Sequence, residues 1–148
     1  MVEMRRRKST SLISRLEEIC RMHHIEIMYA FGSRSKEIKE RVDGKRSRST
    51  KRLPDVDIGI KTTGKAGLSI RDKAQVMTVL EDLFEVSRVD LVVLTEADPF
   101  LAANIIRGER LFCEDDQRAD DYDLYILRRA GDLAPLERER QKLIFGEV

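Results

Sequence analysis

The segment Asp55-Val56-Asp57-Ile58-Gly59-Ile60 alternates strictly between two kinds of residue. A period of two is the signature of a strand, so Val56, Ile58 and Ile60 share one face and Asp55, Asp57 and Gly59 the other. Such a strand needs an apolar layer on one side and room for two carboxylates on the other. Residues two apart on a strand have Cα atoms roughly 6–7 Å apart. The pair therefore sits close enough for mutual repulsion, and this constrains the fold more than any other feature.

The rest of the chain supplies the layer. Ile25–Phe31 (IEIMYAF) reads as a first strand and Val56–Thr62 (VDIGIKT) as a second. Val89–Thr95 (VDLVVLT) reads as a third, central strand, and Arg110–Glu114 (RLFCE) as a fourth, edge strand. Helical spacing runs from Ser9 to Met22, with Ser9 or Thr10 as cap, and from Leu68 to Phe84. The second of these carries a stripe of Ile70, Ala74, Met77, Leu80, Leu83 and Phe84. Ser35–Val42 is a short helix, followed by an Asp43-Gly44 turn. Asp98 with Pro99 marks the start of a helix that ends at Gly108. A last helical stretch begins near Gln117, with Tyr122, Tyr125, Ile126, Leu133 and Leu136 as its apolar face and breaks at Gly131 and Pro135. The order predicts an α/β (α+β) chain with a small mixed β-sheet and helices on its outer face.

At 148 residues this is one domain, 1–148, with a basic insertion over about 34–54 and a helical C-terminal segment over about 117–145. Basic and acidic side chains number 28 and 27, which argues against a dedicated nucleic-acid coat but leaves local patches open. Apolar runs such as Leu91–Leu94 are too short to span a bilayer, and no signal-peptide core follows Met1, so a soluble, cytoplasmic protein is expected. Cys20 and Cys113, 93 positions apart, suit neither a disulfide scaffold nor a CxxC metal site. His23 and His24 point in different directions and read as a helix C-terminus rather than as metal ligands.

Chemistry concentrates in three places. Gly32-Ser33 follows the first strand at the start of a helix, where a glycine lets phosphate approach the backbone and free amides face an anion. Asp55 and Asp57 open the second strand, and Asp90 lies near the start of the third. If the third strand neighbours the second, three carboxylates cluster, and a hard cation such as Mg²⁺ or Mn²⁺ offsets their repulsion. Two such ions clamp the attacking and leaving oxygens of a phosphoryl displacement.

In this order, AFGSR (Ala30–Arg34), PDVDIGI (Pro54–Ile60) and VDLVVL (Val89–Leu94) resemble the signature of minimal nucleotidyltransferases in the DNA polymerase beta superfamily. More narrowly they are similar to the MNT antitoxins that accompany HEPN ribonuclease toxins, and PFLAANIIRGERLF (Pro99–Phe112) matches that family's ending. The resemblance implies that Asp55, Asp57 and Asp90 hold two Mg²⁺ ions, with Asp90 also the candidate base, and that Gly32 and Ser33 bind ATP. It implies AMP transfer to a tyrosine of a HEPN toxin partner. Two alternatives are a nucleotidyltransferase acting on a small molecule or an RNA end, and a non-catalytic module that only binds the toxin.

The sequence departs from the family pattern between the motifs. Twenty-one residues, Arg34 to Pro54, separate Ser33 from Asp55, with Ser35-Lys36 where Ala-Arg is usual and Pro54 where Ser is usual. Nine of them are basic (Arg34, Lys36, Lys39, Arg41, Lys45, Arg46, Arg48, Lys51 and Arg52) against three acids. The stretch reads either as a solvated loop or as an attractor of phosphate, on the triphosphate or on RNA. Arg5-Arg6-Arg7-Lys8 either joins that patch or forms a disordered tail.

Overall fold

The computed structural model describes residues 2–44, 52–64 and 67–146, with side chains in the first helix described from residue 12 onward. The elements are α1 (Val2–Met22), β1 (Ile25–Phe31), α2 (Ser35–Val42), β2 (Leu53–Thr62), α3 (Ile70–Phe84), β3 (Val86–Val93), a 3₁₀ turn (Leu94–Glu96), α4 (Pro99–Ile106), β4 (Glu109–Cys113) and α5 (Asp116–Phe145). The strands form a mixed sheet in the order β3-β2-β1-β4, with β2 and β3 parallel and the other pairs antiparallel.

The expected element order holds, and the caps explain where several helices begin. Ser69 Oγ accepts from the Asp72 amide at 3.1 Å and starts α3. Asp98 Oδ1 accepts from the amides of Phe100 and Leu101 at 2.9 and 3.0 Å, with Pro99 in the first turn of α4. Asp115 accepts from the Arg118 amide and starts α5.

Helices cover both faces of the sheet, not one. Leu16, Ile19 and Cys20 of α1, Ile38 and Val42 of α2, and Val76, Leu80 and Leu83 of α3 pack against Met28, Ala30, Val56, Ile58 and Ile60. On the opposite face Ile105 and Ile106 of α4 and Ile126 of α5 pack against Ile27 and Tyr29. The reason lies in β1, which carries apolar residues on both sides and is buried along all but its last residue, so each side requires a covering layer. An alanine Cβ at Gly59 would lie 2.4 Å from Ile105 Cγ2, so this glycine sets how closely α4 approaches β2.

Several boundaries and faces differ from the pattern-based reading. α1 begins at Val2 rather than Ser9 and takes in the Arg5–Lys8 stretch. β2 begins at Leu53 and includes Pro54, which is tolerated because β1 pairs with β2 only as far as Asp57. β3 is an edge strand rather than a central one; its apolar run is covered by helices instead of by another strand. In α3, Ile70 is 87% exposed and Ala74 is exposed, while Val76 takes the buried place in the stripe. α5 runs unbroken through Gly131 and Pro135. Both residues are exposed, so water can satisfy the Gly131 carbonyl that Pro135 cannot reach. Of its expected apolar face only Ile126 is buried, with Tyr122 and Leu133 half-buried and Tyr125 and Leu136 exposed.

The insertion divides in two. Lys39 Nζ donates to the Arg110 carbonyl at 3.0 Å, and Arg41 donates to the Phe84 and Glu85 carbonyls, so these two cations tie α2 to β4 and to the end of α3. Lys45, Arg46, Arg48 and Lys51 lie outside the described residues.

Candidate active site

The parallel pairing of β2 with β3 places Asp57 directly opposite Asp90 and Asp55 opposite Arg88. The antiparallel pairing of β1 with β2 sets Phe31 opposite Asp57, so the chain reaches Gly32 just beside that aspartate. All three carboxylates thus occupy neighbouring positions on the sheet face that α4 and α5 cover elsewhere.

Gly32 has φ +78, a left-handed value that glycine adopts without penalty. An added Cβ there would lie 2.6 Å from Asp57 Oδ2. The glycine is therefore required twice, once for the turn and once for the carboxylate lodged against it. Ser33 follows, exposed, and α2 starts at Ser35, whose amide donates to the Gly32 carbonyl at 3.4 Å. The Gly32-Ser33 pair thus stands at a helix N-terminus beside the acids, as its position between strand and helix suggested.

Partial burial pushes the Asp57 carboxyl above its ordinary range, and the charges of Asp90 and then Asp55 add to the rise. The donors are hard carboxylate oxygens, and mutual repulsion leaves Asp57 in need of a cation, so the donor set fits a divalent metal ion. As positioned, however, Asp90 Oδ1 forms an ion pair with Arg88 Nε at 3.0 Å. Among the described residues no three carboxylate, imidazole or thiol side chains converge on a single point. Arg88 is the component that the pattern reading missed. Its signal was its place two residues before Asp90, which puts it on the same face of β3.

The nearby chemistry of the opposite end is structural. Tyr29 donates its hydroxyl to Asp123, and Arg110 donates to Asp123 and Asp120 at 2.8 and 3.1 Å, which pins β1 and β4 to α5. Glu26, buried in β1, pairs with Lys61 at 2.7 Å and Arg118 at 3.4 Å. A groove of about 240 Å³ walled by Leu94, Pro99, Tyr122 and Ile126 includes none of the three aspartates.

A mixed sheet with paired acids on adjacent parallel strands, next to a glycine-serine turn at a helix start, has the layout of a nucleotidyl-transferring enzyme. The chain belongs to the polymerase beta nucleotidyltransferase family, whose model matches residues 14–118. A crystal structure of the toxin–antitoxin MntA–HepT shares the fold with a TM-score of 0.60 at 17% identity, covering 91% of this chain and 95% of that one. A tri-AMPylated Shewanella oneidensis HEPN toxin in complex with MNT antitoxin gives 0.61 at 18% identity, covering 93% and 97%. A toxin–antitoxin with AMP-PNP gives 0.60 at 18% identity, covering 90% and 96%. At these identities the likeness is one of fold. No curated protein sequence matches the chain. Among the described residues no helix is long and apolar enough to cross a membrane.

Proposed function

We propose that this chain is a protein adenylyltransferase that transfers AMP from ATP to a tyrosine of a HEPN ribonuclease toxin and thereby acts, in the cytoplasm, as its antitoxin. The observation that carries the reading is the Asp57–Asp90 register pair with Gly32 packed against Asp57, on a fold shared with a complex whose toxin is AMPylated.

Asp55, Asp57 and Asp90 would hold Mg²⁺, two ions in the full site, with Mn²⁺ able to replace them. When bound, the ions supply charge neutralisation at the polyphosphate and at the attacking and leaving oxygens. Gly32 leaves space for a phosphate at the turn, and the Ser33 hydroxyl with the first amides of α2 donates to its oxygens. Asp90, on the edge strand, would accept the proton of an incoming hydroxyl. The tyrosine oxygen then bonds to the α-phosphorus as the bond to pyrophosphate breaks. The carboxylates lie on an open sheet face, so the acceptor has to bring its own surface, which suits a folded partner better than a small molecule. In-line geometry requires the hydroxyl within about 3–3.5 Å of the phosphorus.

The test is intact-mass analysis after incubating the chain with ATP, Mg²⁺ and a HEPN-domain partner. The expected product is a HEPN tyrosine carrying AMP, absent when Asp57→Asn replaces the wild type. AMP found only on this chain, or transfer by a well-folded Asp57→Asn variant, overturns the reading.

A further inference from the structure

We infer that the outer face of α5 is an interface with a second copy of this chain, the two helices pairing antiparallel about a two-fold axis between Arg129 and Asp132. None of the three aspartates lines this surface, so it adds an assembly to the function proposed above and does not rest on it.

The face begins where α5 outruns its neighbour. α5 has 30 residues, whereas α4, which packs against it, has 8. These lengths correspond to about 45 and 12 Å, so much of α5 extends past α4. Tyr125, Arg129, Asp132, Leu136 and Leu143 follow the heptad spacing of a helix–helix seam. Of these, Tyr125, Leu136 and Leu143 are 54%, 65% and 82% exposed. Beside Tyr125 and Arg129 the groove of about 240 Å³ opens towards Leu94 and Pro99. A more open hollow continues from the same two residues to Asp132 and Leu133. A socket and a stripe of unburied apolar side chains thus adjoin along one helix.

The order of charges along the stripe identifies the occupant. Arg129 and Asp132 are both exposed, and no ion pair among the described residues engages either. In an antiparallel pair centred between them, Arg129 of each copy meets Asp132 of the other. The same centre sets Tyr125 opposite Leu136, because each lies four residues outside its nearer charge. Leu136 of one copy therefore enters the groove beside Tyr125 of the other. Further out, Asp121 comes opposite Arg140, again with opposite sign. A face complementary to itself under a two-fold rotation is what an isologous dimer requires, and an unrelated helix has no need of this symmetry. Burial of the leucine and tyrosine side chains supplies the attraction, while the charges set direction and register.

Sedimentation velocity of the full chain, from low-micromolar to submillimolar concentration, tests the pairing. It compares wild type, Arg129→Asp, Asp132→Arg, the double exchange Arg129→Asp/Asp132→Arg and Leu136→Ala, each checked for an unchanged melting profile. Wild type should form a dimer, and each single reversal should weaken it by about tenfold or more, since like charges then meet twice. The double exchange rebuilds both ion pairs and should return affinity towards the wild-type value. Leu136→Ala should weaken the dimer by about tenfold through apolar burial lost on both sides of the axis. A wild type that stays monomeric throughout, or a dimer indifferent to all four variants, overturns the inference. A double exchange no better than the single reversals overturns it as well, because the two charges then do not meet. A monomeric wild type whose binding to a HEPN-domain protein is lost in Arg129→Asp and not regained in the double exchange assigns the face to that protein instead.

Discussion

Replacing Gly32 with alanine separates backbone strain from displacement of a carboxylate, because Gly44 provides a matched control. Both glycines have φ +78. A non-glycine residue in the left-handed region costs about 1–2 kcal/mol. Part of this, about 0.4–1 kcal/mol, is returned because alanine restricts the unfolded chain. Each variant should therefore lose about 1 kcal/mol from this source. The surroundings differ: an added Cβ at Gly44 meets nothing within 4 Å, whereas at Gly32 it falls 2.6 Å from Asp57 Oδ2. Ordinary contact begins near 3.4 Å, so the carboxylate has to swing away by most of an ångström. It can do so cheaply, as the end of a side chain, which leaves stability nearly unaffected by the clash. Catalysis is less tolerant, since a misplacement of about 1 Å at a reacting centre can reduce rate by about 10²-fold. Urea unfolding of both variants, with single-turnover AMP transfer to a HEPN-domain protein in the proposed reaction, tests the difference. The expected outcome is similar stability loss in the two proteins, near-normal transfer by Gly44→Ala, and about a hundredfold slower transfer by Gly32→Ala. Equal transfer rates in the two variants would refute the argument that the Gly32 turn positions Asp57.

The raised Asp57 carboxyl means the folded protein binds that proton more tightly than the unfolded chain, so metal-free stability should rise as pH falls through the raised value towards the ordinary 3.8. Melting temperature followed against pH should show this rise in wild type and a smaller one in Asp57→Asn, which should melt higher at pH 7; a wild-type profile identical to the variant's would contradict it. Gly59→Ala should destabilise by about 1–3 kcal/mol through overpacking against Ile105, and pairing it with Ile105→Ala should cost less than the sum of the two single changes in a denaturant titration. Tyr29→Phe should cost about 1 kcal/mol in the same titration by removing the hydroxyl that donates to Asp123. Burial raises the Cys20 thiol to about 12 and, with its hydrogen bond to Asp116, the Cys113 thiol to about 11. Neither should be alkylated appreciably by iodoacetamide at pH 8 until the protein is unfolded.

Local pattern was enough for much of this molecule. The alternation around Asp55 and Asp57 defines a strand with one apolar face, and Val56, Ile58 and Ile60 are indeed buried. The cap at Asp98 rests on hydrogen bonds that span two or three residues, so the chain's own order suffices to mark it, whereas the Ser69 cap of α3 was not singled out in the sequence. The Gly32-Ser33 turn and the order of strands and helices along the chain were legible from the same local pattern, which also named the three aspartates as candidates.

What neighbours across space decide could not be read this way. The placing of β3 at the sheet edge, and the division of helices between two faces, depend on which strands pair, a matter of contacts far apart in sequence. Pro135 looked like a helix breaker because local rules assign its lost hydrogen bond a full penalty, yet its helix is exposed to water at that point. Arg88 shows the same limit at the site. Sequence placed three carboxylates in the chain, but only the register of β2 against β3 sets Asp57 beside Asp90 and brings Arg88 opposite Asp55. Alternation assigns each side chain to a face of its own strand; the hydrogen-bonded register between strands determines which charges meet.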